Sequence, residues 1–243
     1  MFGAALAAGC QENVGDIDGV FYDGDGRSVH CAVNLDDDAH NTLASIDSAL
    51  DRAVARGEVA ELYAHSPGGT VPISVVEHVL AGARDRGLPF ITYADFAAGA
   101  GTGPGLALSF DDTSVAAWHA MRPQFQAASA RVTFFVSRYP AMRAEQRAQL
   151  AELAADGHAV EAHSVLHLRA PEYVEDHGLA AYIADEVVPS VEQLRADGFP
   201  VTSFAYPFGA RTHEIDRAVL QHVAIVRSIS FTLTGPVVDH CPR

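Results

Sequence analysis

The sequence predicts an α/β fold in which a parallel sheet, open or closed, is covered by helices. Short apolar runs alternate along the chain with segments whose apolar residues repeat at helical spacing, an order typical of repeated βα units. The chain has 243 residues, 49% of them hydrophobic, which suits one large domain with a substantial core. A single barrel often has this size, and we find no linker that would divide the chain into domains.

The predicted strands are short runs of apolar or alternating residues that end at polar or turn-forming residues. Eight segments have this character: 28–35, 59–64, 89–93, 105–112, 131–136, 159–162, 201–206 and 225–233. In a parallel sheet the carboxyl ends of the strands lie at one edge, and that edge is where α/β proteins place their functional residues.

The predicted helices carry apolar residues three and four positions apart, so that each helix has one face for the core. They cover 41–56, 73–86, 116–128, 144–155, 182–196 and 214–222. Gly57 is a plausible end for the first helix, because glycine readily adopts the left-handed conformation of a helix C-cap. Pro189 predicts a kink or break in the fifth helix, since proline lacks the backbone N–H that a helix interior needs.

The charge balance is strongly acidic, with 16 basic and 31 acidic residues and a formal net charge of −15. Such a surface repels the phosphate backbone of nucleic acids and anionic lipid headgroups. The composition therefore argues against binding to nucleic acid or to a membrane surface, and it is more compatible with a neutral or cationic substrate.

The first residues resemble the end of a bacterial lipoprotein signal, with small residues before Cys10 and polar residues after it. We therefore expect residues 1–27 to be a signal-like, flexible segment and residues 28–243 to form the domain. The protein would then be extracytoplasmic and anchored through lipid on Cys10; a frayed N-terminus without a signal is the alternative. In an exported protein, Cys31 and Cys241 could form a disulfide bond, and two unrelated buried thiols are the alternative.

Two pairs of polar residues at predicted strand ends suggest a metal site. Asp111 and Asp112 end an apolar run, and His163 and His167 lie four residues apart where a later strand ends. One carboxylate and two imidazoles make a three-ligand site for a divalent metal, and the second carboxylate is then free to transfer protons. The combination favours a metal-dependent hydrolase.

These segments resemble the motifs of the NodB-homology polysaccharide deacetylases, carbohydrate esterase family four. Residues 109–113, Ser-Phe-Asp-Asp-Thr, are similar to the first family motif, Thr-Phe-Asp-Asp-Gly. Residues 163–167 match the second, His-(Ser/Thr)-x-x-His, and residues 205–209 match the third, Arg-x-Pro-Tyr-Gly, in part. The resemblance implies a distorted (β/α) barrel of the NodB type, formed by a single domain.

The resemblance also implies a role for individual residues in metal binding and catalysis. Asp112, His163 and His167 would bind a divalent metal, most simply Zn²⁺. Asp111 would be the base that takes a proton from the attacking water, and His65 would be the acid that protonates the leaving amine.

The third motif implies further contacts and contains a departure from the family pattern. The backbone N–H of Phe208 would stabilise the oxyanion, and Tyr206 and Pro207 would contact the substrate. The motif's arginine, which positions the base, is replaced by Ala205, and Arg211 is the nearby substitute that we consider. The partner of this arginine comes from a fourth motif that is not recognisable; two weak candidates are Asp216 and Asp239.

The order of the motifs is also unusual. The family's last motif, Leu-x-His, normally follows the third, but a similar segment containing His65 lies upstream of the first motif, at residues 62–68. This order resembles the circularly permuted, exported poly-N-acetylglucosamine deacetylases. We therefore expect residues 59–97 to close the barrel against the last strand and to bring His65 to the metal.

The sequence thus predicts an exported, metal-dependent deacetylase that releases acetate from an N-acetylated glycan of a cell wall or exopolysaccharide. Two alternatives stay open. The same scaffold could hydrolyse another non-peptide amide, or the chain could be a catalytically silent carbohydrate-binding lipoprotein that keeps the metal cleft.

Overall fold

The computed structural model describes residues 13–230, and within them seven parallel strands close into a barrel. The barrel order is β3-β2-β8-β7-β6-β5-β4, with β4 paired again to β3, and the two-residue strand β1 pairs antiparallel with β3. The strands are β1 (Phe21–Tyr22), β2 (Val29–Asn34), β3 (Val59–Ala64), β4 (Gly105–Asp112), β5 (Thr133–Val136), β6 (Ala159–Ala162), β7 (Ser203–Ala205) and β8 (Ile225–Ile229). The predicted α/β barrel is confirmed.

Most helices pack their apolar faces on the outside of the strands, whereas the helix Tyr93–Ala97 places Tyr93 and Phe96 in a second cluster with Val59, Ala107 and Phe135. Ten helices are described within residues 13–230. They are α1 (Leu43–Arg56), α2 (Ile73–Asp85), α3 (Tyr93–Ala97), α4 (Val115–Ala120), α5 (Arg122–Ala127), α6 (Ala144–Ala155), α7 (Ala170–His177), α8 (Leu179–Tyr182), α9 (Val188–Ala196) and α10 (His213–Val219). The side chain of Thr42 caps the first turn of α1, and Gly57 ends the helix with a φ of 70°, as predicted.

The closure of the barrel differs from the prediction. We expected the segment that begins at residue 59 to lie against the last strand, but β2 lies between them. Strand β2 pairs with β3 through Val33 and Leu62, and with β8 through Val29 and Val226. Because β3 is already paired with β4 along its whole length, its other edge is free to receive β2, and β2 then reaches β8.

The predicted strand at 89–93 is wrong. The segment makes a single bridge, between Phe90 and Leu106, on the part of β4 that precedes its pairing with β5 at Ser109. A helix begins directly afterwards, since the side chains of Thr92 and Asp95 form a reciprocal capping box at the start of α3.

Prolines modify two predicted helices. The helix expected at 116–128 is split at Met121 into α4 and α5, with Pro123 in the first turn of α5. The helix expected at 182–196 is interrupted by a π-helical turn, Ile183–Val187, directly before Pro189 in the first turn of α9. In both places proline starts a new helical segment, because its missing N–H is harmless only there.

The segment before β2 also packs on the barrel. Val14, Val20 and Phe21 are buried in the main core, although the sequence analysis began the domain at residue 28. Cys10 and Cys241 lie outside the described residues, so lipidation and the pairing with Cys31 stay predictions. Across residues 13–230, no helix combines the length and apolar character needed to cross a membrane.

Candidate metal centre

Three ligand-type side chains meet at the carboxyl ends of β4 and β6. Asp112 is the last residue of β4, His163 follows β6, and His167 lies four residues further on. Oδ1 of Asp112 is 3.0 Å from Nε2 of His167 and 3.5 Å from Nε2 of His163, and the two Nε2 atoms are 3.2 Å apart. The structure therefore brings together the three residues predicted as metal ligands.

The triangle formed by these atoms fits a single cation. A tetrahedral metal with bonds of 2.0–2.1 Å has ligand atoms about 3.3 Å apart, and the three distances lie around this value. Oδ1 of Asp112 is buried and has no hydrogen-bond partner among the described residues, as expected of a ligand atom. Burial alone would raise the pKa of Asp112, but the close approach of the His163 and His167 rings outweighs it and holds that pKa well below its usual value.

A neighbouring strand fixes the orientation of His163. Its Nδ1 donates a hydrogen bond of 2.8 Å to the backbone carbonyl of Ala205 at the end of β7, and the ring is almost fully buried. Because a carbonyl only accepts, the proton lies on Nδ1 and the lone pair on Nε2 is directed towards the other two ligand atoms. This is a common arrangement for a metal-binding histidine.

The backbone at this edge adopts conformations that non-glycine residues rarely take. Asp112 has a φ of 82°, Ser164 of 65°, His167 of 62° and Phe208 of 59°. These four account for more than half of the non-glycine residues with positive φ within residues 13–230. Each such residue costs on the order of 1–3 kcal/mol, and their concentration at one site favours a functional role.

Asp111, the predicted base, lies inside the barrel next to the ligands. Its Oδ2 accepts a hydrogen bond from the guanidinium of Arg227 and is 4.0 Å from Nε2 of His163. Arg227 is fully buried in β8, with its guanidinium over the rings of Tyr63 and Phe135 at 4.8 and 5.0 Å. Burial opposes its charge, but the carboxylate of Asp111 outweighs that and raises the pKa of Arg227. Oδ1 of Asp111 is buried without a hydrogen-bond partner among residues 13–230.

Arg227 occupies the position that the sequence analysis considered for Arg211. In the structure Arg211 donates to Asp216, and this buried pair does not include Asp111. The guanidinium beside Asp111 therefore comes from β8 and not from the loop after β7. The sequence does contain a signal, because a charged residue in the middle of the apolar strand Ile225–Ile229 requires a buried partner. Asp239, the other candidate partner, lies outside the described residues.

His65, the predicted acid, also lies beside the ligands, directly after β3. Its Nε2 is 4.0 Å from Oδ2 of Asp112, and its Nδ1 hydrogen-bonds the buried carboxylate of Asp36. The hydroxyl of Thr70 also donates to Asp36, at 2.7 Å. Burial would lower the pKa of His65, but the bond to Asp36 and the charges of the neighbouring aspartates raise it to about 9. The sequence analysis missed Asp36, which looked like one of three aspartates ending a strand.

The third motif lies beside His167. The ring of Phe208 is about half exposed, and its centroid is 4.7 Å from that of His167. The side chains of Tyr206 and Pro207 are buried beneath this position. The roles of Phe208, Tyr206 and Pro207 toward a substrate stay predictions.

Comparison with known proteins identifies the family. The sequence model described as polysaccharide deacetylase matches residues 98–224, just over half of the chain. The chain belongs to the polysaccharide deacetylase family. The matched part of the chain includes Asp111, Asp112, His163 and His167, whereas His65 and Arg227 lie on either side of it. No curated protein matches the sequence significantly.

Several solved structures share the fold. IcaB from Ammonifex degensii is 20% identical over 71% of this chain and 85% of its own, with a TM-score of 0.57. The Streptococcus pyogenes deacetylase PplD, solved with acetate, is 15% identical over 68% of this chain and 80% of its own, with a TM-score of 0.54. A Bacillus cereus polysaccharide deacetylase is 18% identical over 63% of this chain, with a TM-score of 0.50, and this chain spans about half of its length.

Proposed function

We propose that this protein is an exported, metal-dependent deacetylase that hydrolyses the N-acetyl groups of an amino-sugar polysaccharide of the cell wall or an exopolysaccharide. The observation that carries the proposal is the cluster of the three ligands Asp112, His163 and His167, with a base, Asp111, and an acid, His65, each 4.0 Å from one of them. Membership of the polysaccharide deacetylase family supports the reaction. A related fold solved with acetate, the expected product, supports it further.

The metal in this proposal is a divalent ion, most simply Zn²⁺, because two imidazoles and one carboxylate suit zinc. When bound, such an ion lowers the pKa of a coordinated water to about 7 and polarises the carbonyl of the amide. The residues of the chain hold the ion, and the Ala205 carbonyl keeps His163 in the tautomer that binds it.

Asp111 accepts the proton of the attacking water. Its unpartnered Oδ1 is the available acceptor, and Arg227 holds the other oxygen and so restrains the rotation of the carboxylate. Arg227 touches no reacting atom in this account and acts as a positioning residue for the base.

His65 donates a proton to the nitrogen of the leaving amine. With a pKa raised to about 9, the ring is protonated at neutral pH, and Asp36 on Nδ1 leaves the Nε2–H directed towards the ligands. The base and the acid therefore start the reaction in opposite protonation states, as the two proton transfers require.

The third motif completes the site in the proposal. The backbone N–H of Phe208 donates to the oxygen that becomes negatively charged during attack, an interaction worth about 3 kcal/mol when well placed. Because the side chains of Tyr206 and Pro207 are buried, their contact with a substrate would involve main-chain atoms. Two parts of the proposal, export and the lipid on Cys10, rest only on the sequence of the first residues.

The test is acetate release from poly-N-acetylglucosamine, chitin oligomers and peptidoglycan by metal-loaded protein, beside the variant Asp111→Asn. A deacetylase releases acetate from at least one glycan, and the variant keeps its metal and loses nearly all turnover. If wild-type protein binds metal but releases no acetate from any of the three, the glycan deacetylase proposal is wrong. Hydrolysis of another amide, or silent glycan binding, would then replace it.

A further inference from the structure

The loop that joins the two histidine ligands is short, irregular and partly exposed. Ser164 and His167 both have positive φ, and the side chain of Leu166 is more than half exposed. Within the loop, the hydroxyl of Ser164 accepts the backbone N–H of His167 at 3.0 Å. This bond and the one that the Ser164 carbonyl accepts from the Arg138 N–H, at 3.3 Å, are both made by Ser164. Neither involves Val165 or Leu166, the next residues in a loop that must place two ligand atoms 3.2 Å apart.

A buried carboxylate from a distant helical segment supplies a second restraint. Oε2 of Glu186 accepts the backbone N–H groups of both Val165 and Leu166, at 3.0 and 2.8 Å. These are residues between the two ligands, and Glu186 is 0% exposed. Its other oxygen, Oε1, has no hydrogen-bond partner among the described residues.

We propose that Glu186 is a positioning residue for the metal centre. Its carboxylate accepts two backbone N–H groups of the loop between His163 and His167 and so holds that loop in the conformation that binds the ion. The inference rests on the proposed metal site and adds to it a residue that contacts neither the metal nor the substrate.

The burial of Glu186 is difficult to explain by stability alone. A carboxylate removed from water costs several kcal/mol unless its hydrogen bonds replace hydration, and here one oxygen is left without a partner. An apolar side chain at this position would fill the space without that cost. The hydrogen bonds to the loop are the compensation that the structure offers, and they are bonds to the metal-ligand segment.

The helical geometry around Glu186 is also unusual. Glu186 lies in the π-helical turn Ile183–Val187, one turn after the buried Tyr182. A π-turn inserts an extra residue, so Glu186 and Val187 are both fully buried. Such turns are rare and occur often at functional sites. Pro189 starts the next helical segment directly after this turn.

The test uses four proteins: wild type, Glu186→Leu, Glu186→Gln and the control Tyr182→Phe. Leucine removes the acceptor, whereas glutamine keeps one acceptor oxygen at nearly the same place. Tyr182→Phe changes a buried polar atom on the same segment that makes no hydrogen bond among the described residues. The affinity for Zn²⁺ is measured by competition with a chelator, and the ligand geometry by the visible absorption of the Co²⁺-loaded protein.

We expect Glu186→Leu to bind Zn²⁺ 10–100-fold more weakly than wild type and to change the Co²⁺ spectrum. Glu186→Gln should recover most of the affinity and the wild-type spectrum, and Tyr182→Phe should match wild type in both. A residue that merely stabilised the fold would lower the melting temperature in Glu186→Leu and leave affinity and spectrum unchanged.

Folded Glu186→Leu with wild-type affinity and spectrum would overturn the proposal. If Glu186→Leu does not fold, Glu186→Asp decides, because it keeps the charge but shortens the reach to the loop. A tenfold weaker affinity for Zn²⁺ then supports the proposal, and wild-type affinity and spectrum overturn it. Failure of the wild-type protein itself to bind Zn²⁺ is a different result, since it contradicts the metal centre and with it the proposed function.

Discussion

The two ends of the barrel both contain buried ionisable side chains, but they differ in how completely these are paired. At the amino ends of the strands, Glu61 accepts a hydrogen bond of 2.8 Å from the Tyr93 hydroxyl and one of 3.0 Å from the His30 ring. Nearby, Glu161 accepts the backbone N–H groups of Thr202 and Ser203 at 2.8 and 2.7 Å. Both oxygens of Glu61 therefore have protein donors.

At the carboxyl ends, the acidic groups keep unpaired oxygens. Oδ1 of Asp111 and Oδ1 of Asp112 are buried without a hydrogen-bond partner among the described residues, although arginine and histidine side chains lie beside them. Buried polar atoms are normally satisfied, so an unpaired atom indicates a ligand or a reacting group. From this comparison we expect the amino end to contribute to folding and the carboxyl end to binding and chemistry. Four predictions test this difference, from the largest effect on acetate release to the smallest.

Loss of a ligand should have the largest effect. His163→Ala removes one of three metal ligands, so we expect the affinity for metal to fall more than a hundredfold and acetate release to reach background. Metal analysis after dialysis and an acetate assay measure both. His119→Ala is the matched control, because His119 pairs with Glu152 at the protein surface and should keep full metal content and activity. Full metal retention by His163→Ala would contradict the assignment.

Loss of the base should leave the metal bound. Asp111→Asn keeps the shape of the side chain but cannot take a proton, so we expect kcat to fall by about 10²–10⁴. Metal content should stay at the wild-type level. Loss of metal together with activity would mean that Asp111 is a ligand and not the base, and would remove the distinction between the two aspartates.

Loss of the partner of the acid should shift the pH dependence. Despite burial, the pKa of His65 is raised to about 9 by the hydrogen bond to Asp36 and by the charges of Asp111, Asp36 and Asp112. Asp36→Asn removes the contribution of Asp36, so His65 loses its proton at lower pH. We expect the alkaline limb of the kcat/KM profile to move down by at least one pH unit. A bound cation lowers the pKa of His65 in wild type and in Asp36→Asn alike. The quantity to compare is therefore the difference in pH between the alkaline limbs of the two profiles. Asp37→Asn is the matched control, because Asp37 is an exposed neighbour of Asp36, and this variant should leave the profile unchanged.

The amino end should respond in stability and not in activity. Burial raises the pKa of Glu161 to about 7 despite the hydrogen bonds that it accepts. As the pH rises, Glu161 ionises near pH 4.5 in the unfolded chain but only near pH 7 in the folded protein. The folded state therefore loses stability between these two pH values. This loss amounts to at most about 3 kcal/mol.

Glu161→Gln cannot ionise, so its melting temperature should fall less than that of wild type between pH 5 and 8. Acetate release at the working pH should equal wild type. A large loss of activity in this variant would show that the amino end takes part in the chemistry, and the proposed division of the barrel would not hold.

Local patterns in the sequence predict most of the fold and the ligand residues. Alternating segments identify seven of the barrel strands, and Asp112, His163 and His167 follow from residue types at strand ends. The strand expected at 89–93 fails because the segment forms only one bridge, at Phe90, before the capping box of Thr92 and Asp95 starts α3 at Tyr93.

The partners of the catalytic residues are harder to predict because they are remote in sequence. Arg227 is 116 residues from Asp111, and Asp36 is 29 residues before His65. Both contacts depend on barrel closure, through β8 for the base and β2 for the acid. Arg227 is recognisable in retrospect as a charge inside an apolar strand, whereas Asp36 is not distinguishable in sequence from Asp37 and Asp38. The positive φ values at Asp112, Ser164 and His167 leave no trace in residue type.

The central claim is that one cation is bound at the carboxyl end by Asp112, His163 and His167. Anomalous diffraction at the zinc edge, on crystals of Zn²⁺-loaded protein, tests it most directly. We predict one ion per chain, within about 2.2 Å of a carboxylate oxygen of Asp112 and of Nε2 of both histidines. An ion bound elsewhere would contradict the account. So would zinc-saturated crystals in which Asp112, His163 and His167 lie together with no ion between them.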